Sequence, residues 1–137
     1  MDLTLGQSLA GLPAFLAYFG CALVLLAAFF MIYGWVTPYH ELALIRDGNV
    51  AAAISLGGAV LGFTLPLASV IAHAVSLPDM IAWSVVALVA QVVVYFVVSR
   101  VVPRFNEAIR AGRVGGATLL AALSLAVGLL NAASLTY

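Results

Sequence analysis

Gln91 and Asn131 are amides set within long uncharged stretches, His73 lies near the end of another, and Glu41, Arg46, Arg104, Glu107, Arg110 and Arg113 gather in two short segments. Any chemistry has to be drawn from these groups. An amide in hydrocarbon without a partner costs several kcal/mol, so Gln91 and Asn131 are expected to pair or to line water. An imidazole near a membrane surface can respond to external pH or simply hydrogen-bond there, and both roles stay open for His73. His40 falls in a loop on the opposite face, so the two histidines cannot share a metal ion, and no zinc site follows. Cys21 has no second cysteine to pair with and reads as a packing residue.

No Asp, Glu, Lys or Arg sits deep in any of the long uncharged stretches. That speaks against a proton-coupled exporter, whose carboxylate must bind substrate and proton in turn, and it leaves no paired acids for hydrolysis. Nor is there a nucleophile with a base beside it, a phosphate-cradling loop or a nucleic-acid surface. The expectation is a protein that is not an enzyme, with no cofactor and no metal.

The elements that must position these residues follow from composition. In 137 residues, 66% are hydrophobic and 7% charged, and the mean hydropathy is +1.23. Soluble domains are about 45–50% apolar, so the lipid bilayer is the expected solvent. A span needs about 20 apolar residues, and four windows supply them: Pro13 to Val36, Val50 to Ser76, Ile81 to Ser99 and Val114 to Leu135. The fold class expected is all-α integral membrane, a single membrane domain over 1–137 with four transmembrane helices. The start "MDLTLGQSLAG" carries an acid and no base, unlike a signal peptide, so the first helix is expected to stay attached.

All five basic residues are arginines, and Arg46, Arg100, Arg104, Arg110 and Arg113 all lie in or beside the first and third connections. Excess arginine in short loops marks the cytoplasmic side. Both loops are therefore predicted inside, with the N-terminus, the turn at Asp79 and Tyr137 outside. That second connection, "SLPDM", is short, which predicts an antiparallel hairpin of the second and third helices. The two inner loops are long enough for short interfacial helices. Thr37 and Pro38 suit a helix start, and Gly48 and Gly112 suit the left-handed position that ends one. In the first loop Tyr39, Leu42 and Ile45 would face the lipid boundary while His40, Glu41 and Arg46 face water.

The loops also resemble each other: "IRDGNV" at Ile45 to Val50 matches "IRAGRV" at Ile109 to Val114, with Pro38 and Glu41 echoed by Pro103 and Glu107. This predicts two repeated two-helix units, about 13–76 and about 81–136, sharing one orientation.

Helix association in lipid depends on close approach of small residues. Ser55, Gly58, Gly62 and Pro66 recur on one face of the second helix, and Ser124, Gly128 and Asn131 on one face of the fourth. These faces are expected to meet in the bundle or at a subunit contact. Pro66 would bend its helix and free carbonyls near mid-membrane. The third helix, "SVVALVAQVVVYFVV", is bulky and reads as lipid-facing.

The stretches "TPYHELALIRDGNVAAAISLGGAVLGFTLPLAS", "VSLPDMIAW" and "GLLNAASLT" resemble the bacterial inner-membrane proteins of the domain-of-unknown-function family 350, across nearly the whole chain. The resemblance implies a short multi-span protein with a repeated two-helix unit and a charged region between helices. It brings no catalytic residues. The family's association with genes for envelope-stress proteins related to phage-shock protein A implies a role in membrane maintenance. The function expected is a non-enzymatic, multi-pass, homo-oligomeric inner-membrane component that docks a cytosolic envelope-stress protein or anionic lipid through Glu41, Arg46, Arg104, Glu107, Arg110 and Arg113. The alternative is a small homo-oligomeric ion channel or transporter lined by Ser55, Gly58, Gly62, Pro66, Gln91, Ser124, Gly128 and Asn131.

Overall fold

The computed structural model describes residues 2–135, with the side chains of 2–4 outside that description. Tyr137, expected on the outer face, and the last position of the second repeat lie outside the described residues. Among the described residues the structure is all-helical, in the order α1 (Asp2–Ala10), α2 (Leu12–Val36), α3 (Glu41–Arg46), α4 (Val50–His73), α5 (Leu77–Val101), α6 (Phe105–Arg110) and α7 (Val114–Ser134). Four helices are long and apolar enough to cross a membrane, with α1 and α2 counting as one stretch from Leu5 to Val36. Helix α1 has no counterpart in the sequence reading, which starts the first span at Pro13. Gly11 separates it from α2 and Pro13 opens the new helix, where a missing N–H costs nothing.

Each later helix is bounded by local chemistry. The Asn49 side chain accepts from the amide of Ala52 to cap α4, and Ser76 accepts from the amide of Asp79 to cap α5. Gly48 and Gly112 take φ of 86° and 80°, the left-handed geometry that suits glycine after a helix. Helices α3 and α6 are therefore real, but α3 begins at Glu41 rather than at Pro38. Thr37 ends α2 instead of starting α3, because both its amide and its hydroxyl reach the carbonyl of Tyr33. Pro38 then acts as the stop that follows a helix end.

The central contact joins α4 to α7. A Cβ added at Gly58 would collide with Ala121, one at Gly62 with the carbonyl of Ser124, and one at Gly128 with the backbone of Gly62. The two small-residue faces meet within one chain, backbone against backbone, so α4 packs more closely on α7 than on its hairpin partner α5. Pro66 leaves the Gly62 carbonyl without its usual helical donor, and that carbonyl rests against Gly128. Helix α5 is not wholly lipid-facing. Met80, Ser84, Ala87, Gln91, Val94, Tyr95 and Val98 form a buried stripe, while Val85, Val89 and Val93 stay exposed. Helix α2 buries less of itself than any other span, with Ala22, Phe29 and Tyr33 turned inward.

Candidate functional site

Apart from His73 and the Ser76–Asp79 cap at the far end, the polar groups gather in two places, the middle of the bundle and the end that carries α3 and α6. In the middle, Gln91 is 1% exposed and its Nε2 donates to the Ser124 carbonyl at 3.1 Å. The same amide nitrogen lies 2.8 Å from where a Cβ at Gly62 would stand, so a side chain there would displace it. The amide links α5 to the α4–α7 contact. Its Oε1 and the Ser124 Oγ have no hydrogen-bond partner. Ser55 is buried and donates to the Ala52 carbonyl at 3.1 Å. Gly58, Gly62, Pro66 and Gly128 are buried with it, and Asn131 is half-buried. Ser69 adds a bond to the Ala132 carbonyl at 3.1 Å. Gly58, Gly62, Gly128, Gln91 and Ser69 hold a closed helix contact together.

The loop end is more elaborate. An aromatic ladder rises to it, with Phe63 stacked on Phe29 (4.6 Å between centroids), Phe29 on Tyr33 (5.2 Å), Tyr33 edge-on to Tyr95 (6.1 Å) and Tyr95 edge-on to Phe105 (6.0 Å). Edge-to-face and offset geometries of this kind are favourable for aromatic quadrupoles. The ladder ties α4, α2, α5 and α6 into one unit. At its top the Tyr95 hydroxyl donates to Asn106 Oδ1 at 2.6 Å. Only the Phe29–Tyr33 step lies within one helix; the other rungs come from separate helices, so the ladder is not visible as a motif in the sequence.

The two loops are joined to each other. Asn49 Nδ2 donates to the Ile109 carbonyl at 2.8 Å and approaches that of Arg110 at 3.3 Å, while its Oδ1 caps α4. In return the Arg110 guanidinium donates to the Pro38 carbonyl at 2.7 Å. Asn49 thus serves two loops with one side chain, a role its identity as a helix cap does not reveal. Asn49→Ala is expected to lower stability by about 2 kcal/mol, from a lost cap and unpaired carbonyls. Asn49→Asp, which keeps the cap and loses the donor, should recover roughly half. Thermal unfolding of both variants in detergent checks this, and an Asn49→Asp variant as stable as the wild type would dismiss the cross-loop contribution.

Arg46, Arg104, Glu107, Arg110 and Arg113 are exposed at this end, and Arg104 holds a left-handed φ of 54° as it opens α6. Glu41 departs from the sequence reading. It was expected to face water, yet it is 6% exposed and Tyr39, expected at the lipid boundary, is 4% exposed. Leu42 is the residue turned outward, at 57%. The cause is the late start of α3, which puts Glu41 in the first turn, facing the end of α2. There the Thr37 hydroxyl lies 2.6 Å from Glu41 Oε1. Burial raises the Glu41 carboxyl to about 7, against a smaller lowering by Thr37. Burial and the neighbouring Glu41 likewise raise the Tyr39 phenol.

The pairing of Glu41 with Glu107 also needs correction. In the two loops α3 and α6 occupy matching places, each followed by an equivalent turn with a left-handed glycine. In that register the position of Glu41 falls on Phe105, which is 2% exposed, whereas Glu107 is exposed. His73 is exposed at the opposite end of the bundle, its Nδ1 2.8 Å from the Ser69 carbonyl. No group of three or more His, Cys, Asp or Glu that could hold a metal occurs among the described residues.

Comparison with known proteins agrees with the membrane reading. The family model described as Domain of Unknown Function (DUF350) matches residues 7–135. The UPF0719 inner membrane protein YjfL of Escherichia coli (strain K12) is 36% identical over 94% of this chain and 98% of its own length. The UPF0719 transmembrane protein YshE of Bacillus subtilis (strain 168) is 34% identical over 66% of this chain and 67% of its own. No solved structure matches the chain.

Proposed function

The chain belongs to the DUF350 family, a multi-pass membrane protein of unknown function, and from that premise we propose that it is a non-enzymatic component of the bacterial inner membrane acting in envelope stress or membrane maintenance. Its two loops dock a cytosolic partner or the anionic lipid surface. The observation that carries this reading is the joined loop end: Arg46, Arg104, Arg110 and Arg113 project from two loops that hold each other through Asn49 and Arg110. A surface cross-linked in this way presents its charges without first having to order them. The arginine bias supports a cytoplasmic position for this end, with both termini on the other side. The matching places of α3 and α6 support a duplicated two-helix unit sharing one orientation.

Each arginine near an anionic leaflet contributes about 1 kcal/mol, so assembly of several copies would be needed for firm binding. The channel reading draws less support, because the small-residue faces of α4 and α7 that would line a pore are packed on each other. Recovery of cytosolic proteins on the reconstituted protein, compared with a variant in which Arg46, Arg104 and Arg113 are replaced by glutamine, tests the proposal. Loss of one specific partner is expected. Unchanged recovery of every partner, together with unchanged retention of anionic lipid, would end it.

A further inference from the structure

Glu41 is a buried acid, whereas the apolar Phe105 stands in the matching place of the second loop. Thr37 touches it, and three tyrosine hydroxyls lie within electrostatic reach. Tyr33 and Thr37 approach from α2, Tyr39 from the segment before α3, and Tyr95 from α5; the three tyrosines and Glu41 lie within electrostatic reach of one another. The hydroxyl of Tyr33, 1% exposed, has no hydrogen-bond partner, and that of Tyr39, 4% exposed, has only Ser55 beside it. From α6, Arg110 donates to the Pro38 carbonyl and lies within electrostatic reach of Tyr39 and Tyr95, and from α4 Ser55 lies beside Tyr39. Among the described residues no cation pairs with Glu41.

The count of protons at Thr37 decides what state fits this enclosure. Its Oγ lies 2.6 Å from Glu41 Oε1 and 3.2 Å from the Tyr33 carbonyl oxygen, and it has one hydrogen to give. With Glu41 ionised, that hydrogen goes to the carboxylate, the Tyr33 carbonyl keeps only the Thr37 amide as a donor, and a charge is buried without a counter-ion. With Glu41 neutral, its carboxyl donates to Thr37, Thr37 donates to Tyr33, and both contacts are hydrogen bonds. His40 and Arg46, on the same loop as Glu41, line with it an open cavity of about 430 Å³.

We propose that Glu41 is a proton-binding site that sets the position of the first loop: neutral, it locks α3 onto the end of α2; ionised, it turns into the open cavity toward His40 and Arg46 and releases α3. The site needs no partner, so it stands or falls separately from the docking role. The experiment uses the full chain in lipid nanodiscs. Infrared difference spectroscopy follows carboxyl protonation, and hydrogen exchange of residues 37–46 is measured against 101–110 as the reference in the same molecule. The expected result is a carboxyl band with its midpoint near pH 7 rather than near 4.5, and an exchange ratio that rises at least tenfold over the same interval. Glu41→Gln should remove the band and flatten the ratio, and Thr37→Val should shift the midpoint if the glutamine variant does not fold. A carboxyl that titrates entirely near 4.5, or an exchange ratio independent of pH in the wild type, overturns the proposal.

Discussion

Gly128→Val is expected to cost the folded bundle about 3 kcal/mol or more, at the upper end of what overpacking does. The reason is that nothing beside Gly128 can yield. A side chain there would collide with the carbonyl and Cα of Gly62, and the reciprocal change at Gly62 would meet the Ser124 carbonyl and the Gln91 amide. Backbone atoms of two helices cannot move apart without giving up the rest of the α4–α7 contact. Lipid supplies no hydrophobic drive to restore that contact, because tails solvate an opened interface as well as they solvate its rim. Gly57 is the control, since nothing lies within 4 Å of a Cβ added there. Gly57→Val should change stability by no more than about 1 kcal/mol, the range of helix propensities. Unfolding followed by circular dichroism in mixed detergent measures both, and similar effects at the two positions would remove the claim that α4 and α7 meet backbone to backbone.

Stability is expected to fall as pH rises from about 5 to about 8, by up to about 3 kcal/mol, through Glu41 alone. The folded chain holds the Glu41 proton until about pH 7, while the carboxyl in the unfolded chain has the ordinary value of 4.5. Between those values the unfolded state binds fewer protons than the folded one, so each step up in pH favours unfolding. The contribution is fully present below about 4.5, is lost through about 7, and is flat above. Local release of α3 would limit the loss to the cost of opening that loop. Glu41→Gln carries no titration and should remove this slope, leaving the variant less pH-sensitive than the wild type. Equilibrium unfolding at a series of pH values checks it, and a wild-type stability that is flat or rising over the interval contradicts the assignment.

How much of this could be read from residues in order depends on how local the cause is. The four spans were legible because crossing hydrocarbon demands an uncharged run of a certain length, and each run is contiguous. The short helices α3 and α6 and the left-handed Gly48 and Gly112 were legible for the same reason, since turn chemistry acts within a few residues. The small-residue stripes on α4 and α7 announced a close contact. Helix α1 was missed because Thr4 and Gly6 weaken the helical pattern there.

What stayed hidden was everything contributed from separate helices. The sequence shows that Tyr33, Tyr39, Tyr95 and Phe105 exist, but only the bundle brings their rings and hydroxyls together at one end. Glu41 looked like a surface charge because acids usually are. It is buried because Thr37 closes α2 on Tyr33 and delays the next helix by three residues, which turns the carboxyl inward. Solvation cost acts residue by residue along the chain and so leaves its record in composition; the environment of one side chain depends on neighbours that arrive only when the helices pack.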